Sequence, residues 1–197
     1  MTTVRQIEKL WRAKSYGRLC RELISNRAEA QFDIRPDASF TAAAAALAII
    51  RLSELNQPHA SIYAELIRVL VRMQDRDGGW GEPMLTALCI RALQSGDGQG
   101  ESVERGLMYL ANLQKENGLW PRIPIRRMDA DPAASAFILF QLGDNGAFRG
   151  SIRLGDAVGW FEQNEPILDA AIRRLWHHAA LRCRTRAAHG LAMASWS

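Results

Sequence analysis

Apolar residues recur along the chain at three- and four-residue steps. Ile62, Leu66, Val69, Leu70 and Met73 fall on one helical face that leads into Gln74. Leu107, Leu110, Ala111 and Leu113 do the same before Gln114. Between these amphipathic stretches lie segments rich in small residues: Thr41 to Leu55, Met84 to Leu93 and Ala133 to Leu142. Pro83 and Pro132 suit the first turns of the last two, where a missing N–H costs nothing. The pattern predicts pairs of an outer amphipathic helix and an inner alanine-rich one, in an all-α chain of roughly eight to nine helices. Leu168 to Met193 reads as a further long helix. Arg173, Arg174, Arg182, Arg184 and Arg186 make it basic, and Leu168, Ile172, Leu175, Ala179 and Leu181 form its expected inward face.

The connections between the paired helices repeat. Gln74-Asp-Arg-Asp-Gly-Gly-Trp80 returns forty residues later as Gln114-Lys-Glu-Asn-Gly-Leu-Trp120. A further forty residues on stands Gly159-Trp160, and forty before the first copy stands Phe40; both outer positions lack the Gln. Each unit therefore reads as outer helix, Gly-Trp turn and inner helix. A Gln amide at a helix end can satisfy orphan backbone groups there. An indole can stack over that amide while glycine permits the tight backbone. Gln74, Trp80, Gln114 and Trp120 are therefore expected to be structural braces. Residues 38–165 form the repeat region, 1–37 an N-terminal helical extension, and 166–197 the basic C-terminal helix of the same domain.

Composition narrows the class. The 197 residues are 48% hydrophobic and 23% charged, the balance of an ordinary globular protein. The longest apolar run, Ala42 to Ile50, is far short of the about 20 residues of a membrane span. The first residues carry no signal-peptide pattern. The three cysteines, Cys20, Cys89 and Cys183, are odd in number and widely spaced, as in a reducing compartment. These features predict a cytoplasmic protein. The net charge of +4 is concentrated at Arg122 to Arg127 and Arg173 to Arg186. Such clusters either attract anions or form solvated faces.

Arg105-Gly-Leu-Met-Tyr-Leu-Ala-Asn-Leu-Gln-Lys-Glu-Asn-Gly-Leu-Trp120 resembles the QW motif of squalene–hopene cyclases, oxidosqualene cyclases and related terpene cyclases. Gln74 to Gly81 is similar to the same motif, and the wider group includes protein prenyltransferase β subunits. The resemblance implies an α/α toroid whose inner helices line an apolar cavity for an isoprenoid. Met128-Asp129-Ala130-Asp131-Pro132-Ala133-Ala134 is similar to the DxDD-Thr-Ala motif of class II terpene cyclases. In that motif the middle Asp protonates an alkene or epoxide. The resemblance thus implies that Asp131 is a catalytic acid supported by Asp129. Pro132 stands in place of the last Asp, and Ala133 in place of Thr. Alkene protonation needs a strong acid in a dry cavity, and clustered carboxylates supply one by sharing protons. The other reading of the same residues is a helix cap, with Asp131 as N-cap and Pro132 at the first helical position.

Other chemistries find less support. No Asp-Asp-x-x-Asp helix is present to hold magnesium, and Asp33 and Asp37 flank Arg35-Pro36, a loop. Arg122, Arg126 and Arg127 could hold a substrate diphosphate or simply rim a loop. His177, His178, Cys183 and His189 lack the spacing that sets two zinc ligands on one helix face, so no metal or other cofactor is expected. His59 follows Pro58 at a helix start. Neither a Gly-x-Ser-x-Gly elbow nor a P-loop occurs. The basic C-terminal helix could meet an anionic membrane surface, a partner protein or a second copy of the chain. Nucleic-acid binding is disfavoured, because the aromatics belong to turns.

Two functional readings follow. One is a terpenoid cyclase-like protein that binds an isoprenoid, with or without a diphosphate, and starts cyclisation from Asp131. The alternative is a degenerate toroid without turnover that binds an isoprenoid or a protein, or one chain of a split cyclase. In either, the ring is open, or a second copy or a partner chain completes it.

Overall fold

Alanine has the highest intrinsic helix propensity, and the alanine-rich run around Ala42 to Ala48 lies within a 17-residue helix, α1 (Ala38–Glu54). The computed structural model describes residues 38–56, 61–95, 100–125 and 127–184. After α1 come α2 (Ser61–Met73), α3 (Pro83–Gln94), α4 (Gly100–Leu113), α5 (Pro132–Leu142), α6 (Gly146–Ser151) and α7 (Leu154–Asn164). A 3₁₀ turn (Glu165–Ile167) then leads to α8 (Ala170–Arg184). Among the described residues there is no strand beyond one isolated bridge, Pro121 to Ala130, so the described part of the chain is all-α. The extension expected over residues 1–37 lies outside the described residues. The described residues group into two compact units, one within 38–75 and 88–103, the other within 76–87 and 104–184.

In the first unit α1 packs against α2. Ala42, Ala44, Ala45, Ala46, Ala48, Ile49, Ile50 and Leu52 are all buried, so α1 is enclosed on most of its circumference. α2 buries one face only, through Tyr63, Leu66, Ile67 and Leu70, which gives it the amphipathic character read from the sequence. The Tyr63 hydroxyl donates to the Ser95 carbonyl at 2.8 Å. The later part of α3 adds Leu88, Cys89, Ile90, Ala92 and Leu93 to this core.

The second unit is built on α5 against α8. α5 is buried at Ala134, Ser135, Ala136, Ile138, Leu139, Gln141 and Leu142. α8 meets it through Trp176, Ala179 and Cys183, spaced by three and four residues. Aromatic rings fill the rest. Phe161 and Trp176 stack at 4.5 Å, and Trp120 and Phe148 at 6.0 Å. Such pairs add about 0.5–1.5 kcal/mol each beyond area burial.

Three expectations are corrected. Leu181 is 63% exposed, because the buried face of α8 runs through Trp176, which the sequence reading left out. Leu168 is buried but precedes the helix, and α8 begins at Ala170. Gly159-Trp160 lies inside α7 and Phe40 inside α1, so neither marks a turn like those at Trp80 and Trp120. Arg186 and Met193 lie outside the described residues.

Candidate functional site

The turns after α2 and α4 are built from the same bonds. Asp77 Oδ1 accepts from the Gly79 N–H at 2.9 Å, and Asn117 Oδ1 from the Leu119 N–H at 3.1 Å. Gly78 and Gly118 hold the left-handed position, at φ 92° and 80°. The Trp80 N–H donates to Thr86 Oγ1 at 3.0 Å, and the Trp120 N–H to Ser135 Oγ at 2.8 Å. Each hydroxyl donates in turn to a backbone carbonyl four residues back, Thr86 to Glu82 and Ser135 to Asp131. Thr86 and Ser135 each stand three residues after a helix-opening proline, Pro83 or Pro132.

The glutamines reach further than their own helix ends. Gln74 Nε2 donates to Ser102 O at 2.8 Å, in the first turn of α4. Gln114 Nε2 donates to Gly118 O at 2.8 Å and Arg153 O at 3.3 Å, and its Oε1 accepts from the Arg153 N–H at 2.8 Å. Trp120 is fully buried, and its indole N–H donates to Leu110 O at 2.8 Å. Trp80 is 3% exposed. Thr86 and Ser135, both buried, are the residues that the sequence reading missed. Their signal is the shared Pro-x-x-Thr/Ser spacing.

That pairing sets the alignment of the acidic segment. Thr86 corresponds to Ser135, so Asp131 occupies the place of Glu82. The hydroxyl partner stands six residues after Trp80 but fifteen after Trp120. The extra length forms a loop, pinched at its base by the Pro121–Ala130 bridge and by the Asp131 N–H donating to Trp120 O at 2.8 Å. Within the loop the Met128 N–H donates to Ile125 O at 2.9 Å.

Asp131 is the N-cap of α5. Its backbone is extended, Oδ1 accepts from the Ala134 N–H at 2.9 Å, and Pro132 takes the first helical position. Asp131 is half-buried, whereas Asp129 is exposed. Arg122 and Arg127 are exposed on the loop, and Arg126 lies outside the described residues. Beside the loop opens a shallow hollow of about 630 Å³. The end of α4 and its turn line one side, through Leu113, Gln114, Lys115 and Glu116. Arg127, Met128 and Asp129 line the other, with Arg153 also at the hollow. Arg153 is held by the carbonyls of Gln114 and Lys115, and its Nε lies 3.8 Å from Asp156. The structure thus brings Arg127 and Asp129 to one hollow with Gln114, while the Asp131 carboxylate turns to the helix cap.

The histidines and cysteines near the C-terminus are dispersed into packing roles. His177 Nε2 lies 2.7 Å from Glu165 Oε1. His178 meets the Phe140 ring edge-on, and the Arg182 guanidinium lies 4.6 Å above that ring. Cys183 and Cys89 are buried free thiols, and burial pushes both pKa values up. Among the described residues no group of three His, Cys, Asp or Glu side chains could hold a metal ion. His59, His189 and Cys20 lie outside them.

The described residues are all-helical but for one isolated bridge, and none of their helices is long and apolar enough to cross a membrane. No protein family, no curated protein and no solved structure matches the chain.

Proposed function

We propose that this protein is a binding module without turnover, a degenerate α/α toroid in which the hairpins joined by Gly-Trp turns serve as a scaffold. One observation carries this reading: the Asp131 carboxylate accepts the Ala134 N–H at 2.9 Å. Its neighbour in the acidic segment, Asp129, stands in solvent. Protonating an alkene requires an acid shielded from water and supported by further carboxyl groups. The Asp131 carboxyl, half-buried and capping through Oδ1, stands beside a solvent-exposed Asp129 and not in a dry cluster of carboxyl groups. The helix-opening Pro132 supports the capping role. Two turns with the same bonds support the repeat scaffold.

The test is incubation of the purified protein with geranyl, farnesyl and geranylgeranyl diphosphates and with squalene, followed by mass spectrometry of extracts. Wild type and Asp131→Asn are run together. The module reading expects no cyclised product from either. A product made by wild type and lost in Asp131→Asn overturns it and makes Asp131 the acid.

A further inference from the structure

Two asparagines stand directly before a glycine, Asn117 before Gly118 and Asn145 before Gly146. In such a pair the glycine nitrogen can attack the asparagine side-chain carbonyl carbon, because no Cβ shields its approach. The attack closes a succinimide ring and expels ammonia. Water then opens the ring to aspartate or isoaspartate. Closure requires rotation about the asparagine Cα–C bond, so its rate depends on what the local backbone must break to open.

The two pairs differ in that cost. The Gly118 N–H donates to Lys115 O at 2.9 Å, and Gly118 O accepts from Gln114 Nε2 at 2.8 Å. The Lys115 N–H donates to Leu119 O at 2.8 Å, which closes the turn around the pair. Gly118 is buried, and a Cβ there would lie 2.3 Å from the Ala157 nitrogen. A nitrogen held in this way has no room to swing onto the Asn117 side chain. Gly146 is exposed and opens α6, so its N–H is among those that no carbonyl of the helix meets. Opening there breaks the bond from the Arg149 N–H to Asn145 O, 3.1 Å, and the cap from the Phe148 N–H to Asn145 Oδ1, 2.7 Å. A helix of 6 residues offers little cooperative resistance to that loss.

We infer that Asn145 is a deamidation site of the folded protein, and that the turn after α4 protects Asn117. Aspartate at 145 keeps an oxygen for the Phe148 N–H and puts a negative charge at the start of α6, which the helix favours. Isoaspartate instead routes the main chain through the side-chain carbon and loses the cap. The protection of Asn117 lies in the rate of closure and not in the fit of the product. Asp77 occupies the same place in the earlier turn and accepts the Gly79 N–H at 2.9 Å.

The experiment incubates the full chain at pH 8 and 37 °C, folded and in urea, and follows tryptic peptides 116–122 and 128–149 by mass spectrometry. Each conversion replaces NH₂ by OH, and retention time separates aspartate from isoaspartate. With each folded rate divided by its own rate in urea, Asn145 is expected to exceed Asn117 about tenfold or more. Gly146→Ala should slow Asn145 about tenfold, since a Cβ then shields the attacking nitrogen. That glycine has no positive φ, so alanine fits its helical place, and circular dichroism checks the fold. Gln114→Ala removes the bond to Gly118 O and should raise the Asn117 rate severalfold.

Equal relative rates at the two sites overturn the inference. So does a folded chain that leaves Asn145 intact over the time in which the urea sample converts. Conversion of Asn145 that Gly146→Ala leaves unchanged shows that this nitrogen is not the attacking group, and also overturns it.

Discussion

Gln114 and Arg153 are joined side chain to backbone in both directions: Oε1 accepts the Arg153 N–H at 2.8 Å, and Nε2 donates to the Arg153 carbonyl at 3.3 Å. The same amide also donates to Gly118 O, so one side chain ties the turn after α4 to the residue that starts α7. Gln114→Ala removes all three bonds. The contacts at Arg153 are solvent-exposed, which lowers their worth, so a loss of about 1–2 kcal/mol is expected in urea unfolding. Gln114→Glu keeps the acceptor but sets a carboxylate against two carbonyls, and should destabilise by a similar amount. A loss below about 0.3 kcal/mol for both would remove the brace from the account.

The glycines of the two turns are held by space as well as by angle. A Cβ on Gly78 would lie 2.5 Å from the Arg105 carbonyl oxygen, and one on Gly118 would run into the backbone of Asp156 and Ala157. Both glycines also have positive φ. Gly118→Ala and Gly78→Ala should each lower stability by about 2 kcal/mol or more, since strain and a backbone clash add. Gly150→Ala is the contrast: nothing stands within 4 Å of its Cβ, and it lies in α6. There alanine should be neutral or add up to about 1 kcal/mol. Thermal unfolding of the three variants checks the order.

The hydroxyls at the start of α3 and α5 satisfy tryptophan N–H groups away from water. Ser135→Ala leaves the Trp120 N–H without its 2.8 Å acceptor at a fully buried position, and Thr86→Val does the same to Trp80. Each should cost about 1–3 kcal/mol. Asp131→Ala, which strips the cap of α5, should cost about 1 kcal/mol, while Asp131→Asn keeps an acceptor and should cost a few tenths. If Asp131→Ala proves stabilising, the carboxylate is not serving as a cap.

The helices were legible because their periodicity is strong. The small-residue segment ending at Leu142 was expected from Ala133 and observed from Pro132, and the one from Met84 to Leu93 is extended by a single residue at each end. The turns were legible because Gln, Gly and Trp recur in fixed register, and each has a distinct backbone task. What the sequence hid lies in side chains whose partners are remote in the chain. Gln114 looks like a cap for its own helix, yet its partner is Arg153, 39 residues on. Ser135 carries no mark of burial until its hydroxyl is seen on the Trp120 N–H. Leu181 was drawn inward because hydropathy alone cannot phase a helix that also buries a tryptophan and a cysteine.

The buried thiols predict how stability changes in alkali. Cys89 is completely buried and Cys183 nearly so, and desolvation raises the pKa of each above its ordinary value of 9.0. In the folded protein Cys89 stays protonated as the pH rises past that value and the ionisation of Cys183 is shifted in the same direction, whereas in the unfolded chain both ionise freely. The unfolded state then binds fewer protons, so the stability these thiols confer is present below about pH 9 and is lost above it. The limiting slope is about 1.4 kcal/mol per pH unit for a thiol held protonated throughout, as Cys89 is. Chemical denaturation from pH 8 to 10 should show this decline. Cys89→Ala should reduce the slope by one thiol's share, whatever its own cost from the small space it leaves. In parallel, iodoacetamide at pH 8 should label Cys89 and Cys183 far more slowly than free cysteine, with labelling released by denaturant. A variant lacking Cys89 that keeps the full alkaline slope would show that this thiol ionises in the folded state.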